Sequence, residues 1–170
     1  MKYGIVIFPA KPLQDFVNSY RKRYDPHYTH IPPHITLKSG FEAEEHEIND
    51  IVQKLHVVAQ KIEPFDITIT KFSSFKPVNN VIYLKIDPRD SLENLHNEID
   101  TKFPGHVSEY VYVPHITIGQ KLTNDEHSDV FGSLQMLKVN FQDKVDRFHL
   151  LYQLENGSWT VYETFHLRKE

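Results

Sequence analysis

Hydrophobic positions change period several times along this 170-residue chain, and each change marks an element. Residues 3–8 form a short apolar run stopped by Pro9, the pattern of a buried strand. Leu13, Phe16, Val17 and Tyr20 then recur at helical spacing, which predicts a helix from Leu13 to Arg23 that Asp25-Pro26 ends. The prolines of Ile31-Pro32-Pro33 hold the chain extended and deliver it into an alternating segment through Lys38. From Glu44 to Lys61, Ile48, Ile51, Val52, Leu55 and Val58 share one stripe, predicting an amphipathic helix, and Phe65 to Phe72 alternates again as a strand.

The second half repeats this order. Val81–Ile86 reads as a strand, Ser91–Phe103 as a helix broken by Pro104-Gly105, and Tyr110–Ile118 as another strand. Thr123–Leu137 is a weaker helical pattern, followed by strands at Lys138–Gln142, Arg147–Leu154 and Trp159–Leu167. Asn156-Gly157 between the last two predicts a type I′ hairpin. No low-complexity linker divides the chain, so residues 1–170 are expected to form one domain of two interlocked lobes with a cleft between them.

The halves also share a motif. Pro33-His34-Ile35-Thr36-Leu37-Lys38 returns as Pro114-His115-Ile116-Thr117-Ile118-Gly119. On a strand, alternate residues face opposite ways, so Ile35 and Leu37, or Ile116 and Ile118, can enter a core while a histidine and a threonine stay in the cleft. Two such strands facing one ligand supply two imidazoles, one for each proton of an acid–base reaction, and two hydroxyls to hold non-bridging phosphate oxygens. Lys38 shares the parity of His34 and Thr36 and is a candidate for added positive charge, or for a place in solvent.

Composition narrows the chemistry. A net charge of −4 excludes whole-molecule attraction to a long nucleic-acid tract, so any phosphate site must be local. The lack of cysteine removes disulfides, thiolate metal sites and a thiol nucleophile together. The amino terminus carries too short an apolar run for a signal peptide or membrane span, and a cytoplasmic protein is expected. The other histidines, among them His27, His30, His96, His106 and His127, lack a partner at metal-ligand spacing and read as surface or packed residues. Arg21-Lys22-Arg23 reads as cations complementing a helix end rather than a nucleic-acid patch, and Tyr83, Tyr110 and Tyr112 read as packing.

The paired H-x-T-hydrophobic motifs, their separation, and Phe72-Ser73-Ser74-Phe75 leading into Val81-Ile82-Tyr83-Leu84 resemble the 2H phosphoesterase superfamily, the LigT-like or 2′-5′ RNA ligase-like proteins. The opening strand and helix look close to a bacterial YjcG-like branch. The resemblance implies a bilobal, pseudo-duplicated α+β fold, with two antiparallel sheets flanked by helices around a central cleft. It implies a phosphoesterase that cleaves a 2′,3′-cyclic or related phosphodiester of a small nucleotide or RNA end, with no metal and no cofactor. By the same resemblance His34 is the proton donor, His115 the proton acceptor, and Thr36 and Thr117 the phosphate anchors. Gly119-Gln120, where the RNA-processing members are richer in lysine and arginine, argues against a long RNA substrate. The rival reading is a binding module of the same fold that senses a cyclic or terminal phosphate without turnover. The sequence leaves the oligomeric state open.

Overall fold

The computed structural model describes residues 1–103 and 111–168. Its elements run β1 (Lys2–Ile7), α1 (Lys11–Tyr24), β2 (Ile35–Glu42), α2 (Glu45–Lys61), β3 (Phe65–Ser74), β4 (Ile82–Asp87), α3 (Asp90–Asp100), β5 (His115–Gly119), α4 (Asn124–Leu134), β6 (Phe141–Val145), β7 (Arg147–Gln153) and β8 (Trp159–His166). Local chemistry explains the boundaries. A proline in its first turn opens α1, reciprocal capping boxes start α2 at Glu44–Glu47 and α4 at Thr123–Glu126, and three cations end α1.

The strands form one curled antiparallel sheet in the order β6-β3-β4-β5-β2-β1-β7-β8. The two sheets expected from the sequence are its two halves, joined where β2 meets β5, among the described residues through one registered pair, Ile35 opposite Ile116. Each half centres on an antiparallel strand–helix–strand unit, β1-α1-β2 in one and β4-α3-β5 in the other. The helices cross the seam, with α1 packed on β5 and α3 on β2. Because β7 and β8 return to the first half after β6 has joined the second, the chain laces the lobes together.

Three expectations are corrected. β5 starts at His115 instead of Tyr110: Tyr110 lies outside the described residues, Pro114 offers no N–H to a ladder, and Tyr112 is held by side-chain bonds instead. The strand expected at Lys138–Gln142 is β6, moved to Phe141–Val145 because β3 pairs Phe65 with Val145 and Ile69 with Phe141. The β7–β8 hairpin is not type I′. Only Gly157 of the pair has positive φ, at 90°, and the Gly157 N–H bonds the Leu154 carbonyl while Leu154 bonds Ser158, a three-residue loop with the glycine at its bulge.

The predicted parity holds at the centre. Ile35, Leu37, Ile116 and Ile118 are wholly buried with Val17, Leu92, Leu95 and Ile99 from the helices, while His34, Thr36, His115 and Thr117 are only half-buried.

Candidate active site

The seam organises the site. Antiparallel pairing about Ile35 and Ile116 sets His34 across from Thr117, and Thr36 across from His115, so each histidine faces the threonine of the other motif. His34, Thr36, Lys38 and Thr117 line a cavity of about 540 Å³, and a second of about 910 Å³ continues past Thr36 and Lys38 to His115.

Both imidazoles are anchored alike. Nδ1 of His34 lies 2.9 Å from the Pro32 carbonyl, and Nδ1 of His115 lies 2.7 Å from the Val113 carbonyl. A carbonyl only accepts, so Nδ1 carries the hydrogen in each ring and Nε2 is left to accept or give a proton. The motif's preceding proline and the residue before it therefore set the tautomer. Phe75 and Tyr83 fix the His115 ring edge-on, at centroid distances of 5.0 and 5.3 Å.

Burial lowers the pKa of both rings. For His34 it is pushed down to about 4, desolvation leading, with the Arg21 and His115 charges adding to it and the Pro32 and Asp25 interactions opposing. His115 is lowered by desolvation against the Val113 bond. Both rings are thus neutral at pH 7 in the free protein.

Arg21 is the residue the sequence reading undervalued. Its neighbours Lys22 and Arg23 are exposed, but Arg21 is 2% exposed and lines the cavity with His34. Nε donates to Asp25 Oδ2 (3.1 Å), Nη1 to Asn18 (2.9 Å) and Nη2 to the Ile31 carbonyl (2.8 Å). Asp25 in turn accepts from Gln120 (2.9 Å). The signal was present: Leu13, Val17 and Arg21 repeat every fourth residue on the buried face of α1. Gly119 admits this helix end, since a Cβ there would lie 3.0 Å from Tyr24 Cβ and 3.3 Å from its carbonyl oxygen.

A second brace serves β2. Among the described residues β2 pairs with β5 only at Ile35, and the Thr36 and Leu37 carbonyls instead accept from the Tyr112 hydroxyl (2.7 Å) and His96 Nδ1 (2.7 Å), whose rings stack at 4.0 Å. Tyr112 is thus more than packing. Lys38 is neither free nor in solvent: its ammonium lies 3.5 Å from Asp100 and over the Phe103 ring. Among the described residues, no three His, Cys, Asp or Glu side chains are arranged to hold a metal ion, and no helix is long and apolar enough to cross a membrane.

Comparison with known proteins agrees with this fold. The family model of the 2′-5′ RNA ligase superfamily matches residues 9–157. A protein of Geobacillus sp. (strain WCH70) is 58% identical over 97% of this chain and 95% of its own, and one of Bacillus licheniformis is 56% identical over 97% and 98%; each carries the name "Putative phosphoesterase". Among solved structures, TT0787 of Thermus thermophilus superposes with a TM-score of 0.72 at 19% identity over the full length of both chains. Escherichia coli LigT complexed with 3′-AMP superposes at 0.71 and 16% identity, covering 99% of this chain and 98% of its own. A phosphoesterase of the LigT-like α+β fold, this chain belongs to the 2′-5′ RNA ligase superfamily, the 2H phosphoesterases.

Proposed function

We propose that the protein hydrolyses a 2′,3′-cyclic or related phosphodiester of a small nucleotide or RNA end, in the cytoplasm, with His34 and His115 as acid and base. The observation that carries this reading is the antiparallel register of the two motifs about Ile35 and Ile116, together with the Nδ1 contacts that leave Nε2 of both rings to exchange a proton. The ligands of the LigT structures, 3′-AMP, NADP+ and ATP, support a nucleotide-like substrate.

His115, neutral with its lone pair at Nε2, takes a proton from the attacking water as the oxygen–phosphorus bond forms. His34 gives its Nε2 proton to the departing ribose oxygen as the other phosphorus–oxygen bond breaks. Thr36 and Thr117 hold the non-bridging oxygens, and positioning of this kind lowers the barrier without a metal. The low pKa of His34 sets a condition on its role as donor. An anionic phosphate in the cleft favours the imidazolium and so opposes the desolvation that leads this lowering, which lets His34 hold the proton it gives. Lys38, tied to Asp100, contributes positive charge at longer range.

Turnover of a panel of 2′,3′-cyclic nucleotides in the presence of chelator tests this. Activity should persist, and His34→Ala and His115→Ala should each lower kcat by on the order of a hundredfold, the weight of a general acid or base. Thr36→Ala and Thr117→Ala should do less harm. Activity lost in chelator and restored by a divalent metal would refute the metal-free reading, and saturable binding with no turnover would favour a phosphate sensor.

A further inference from the structure

The reaction uses one end of the 540 Å³ cavity and leaves the other unexplained. Leaving the motif along one face of the sheet, the lining passes from Thr36 through Val6 and Gly4 of β1 to Leu151 and Gln153 of β7 and ends at Trp159 of β8. Register explains the row: Val6 stands opposite Thr36, Gly4 opposite Leu151, and Gln153 opposite Trp159. The indole lies over the Gly4 backbone, where a Cβ would touch its Cζ3 and Cη2 at 3.6 and 3.8 Å. Its main chain is tied to the loop that leads to His34, the Trp159 N–H donating to the His30 carbonyl at 2.9 Å. Gln153 donates to the Gly157 carbonyl (3.0 Å), which orients its amide and leaves the amide oxygen as an acceptor.

A half-buried indole and an oriented amide, in one cavity with His34, suit a flat heteroaromatic ring with polar edges, and Lys2 lines the same cavity beside Gly4. We propose that Trp159 is the stacking platform for the nucleobase of the substrate and Gln153 its edge contact. This rests on the reaction proposed above. It assigns the base to the β1-β7-β8 side of the seam, on the His34 flank, and the binding term is a stack that tolerates any base.

Trp159 is the only tryptophan in the chain, so its fluorescence reports on the site directly. Titration with adenosine 3′-monophosphate should quench it saturably, whereas ribose 3-phosphate and inorganic phosphate should leave it unchanged. Equal quenching by ribose phosphate, or none by a nucleotide of any base, overturns the assignment. Trp159→Leu should raise KM for a nucleoside 2′,3′-cyclic phosphate about tenfold, the weight of one base–aromatic stack, with kcat little altered. It should leave KM for the base-free methyl riboside 2′,3′-cyclic phosphate unchanged, and Trp159→Phe should restore most of the loss. An equal rise for both esters overturns the proposal. If the wild-type protein cleaves neither ester, the proposed reaction fails while the quenching experiment still decides the base site.

Discussion

His34 gathers the conflicting demands of the site. Its ring must stay open to a phosphate, yet its surroundings disfavour the imidazolium and push its pKa from 6.5 to about 4. Because the folded value lies below the unfolded one, the unfolded chain takes up the proton first as pH falls. The contribution to stability is therefore complete above pH 6.5 and lost progressively towards pH 4. Chemical denaturation across that window should show wild type losing on the order of 2 kcal/mol that His34→Gln does not lose, the discount reflecting the ring's solvent-facing edge. Parallel pH profiles for the two proteins would contradict this. The donor role has its own test, since a nitrophenyl leaving group needs little protonation. Such an ester should rescue His34→Ala and not His115→Ala; rescue of His115→Ala alone would reverse the roles, and equal rescue of both would refute the assignment.

At the scale of elements, the end of α1 and the loop after it form one device. Arg21 closes the helix onto Asp25, Asn18 and the Ile31 carbonyl, so the segment that carries Pro32, Pro33 and His34 is set by a buried ion pair. Removing one partner strands the other charge. Arg21→Ala should destabilise the fold by roughly 3 kcal/mol in a denaturant titration, more than a surface ion pair such as Lys11–Asp15 whose loss should cost under about 1 kcal/mol. The opposite order of the two losses would show that solvent reaches Arg21. The sequence reading placed Arg21 with its exposed neighbours because a run of three cations at a helix end satisfies the dipole whichever way each points. Only the depth of α1 against β5 separates the one that turns inward.

In the whole molecule, among the described residues, two four-stranded halves meet through a single registered pair. Ile35 and Ile116 carry that junction, both wholly buried. Each changed to alanine should cost about 2–5 kcal/mol, and because they oppose one another the double mutant should depart from additivity by at least about 0.5 kcal/mol. Strict additivity would mean that the halves are held together mainly by the helices that cross the seam.

Much of this was legible in the sequence because it is local. The period of apolar positions marks α1 to α4, and the alternation around His34 and His115 decides which side chains enter the core, since a strand cannot turn neighbouring residues to the same face. The repeated motif pointed to the family. Tertiary structure alone decided what depends on which strand lies beside which: the crossed pairing of each histidine with the other motif's threonine, the inward Arg21, the Tyr112 and His96 caps on β2, the Lys38–Asp100 pair, and the wall at Trp159. Register between distant strands is set by long-range packing, and no local pattern encodes it.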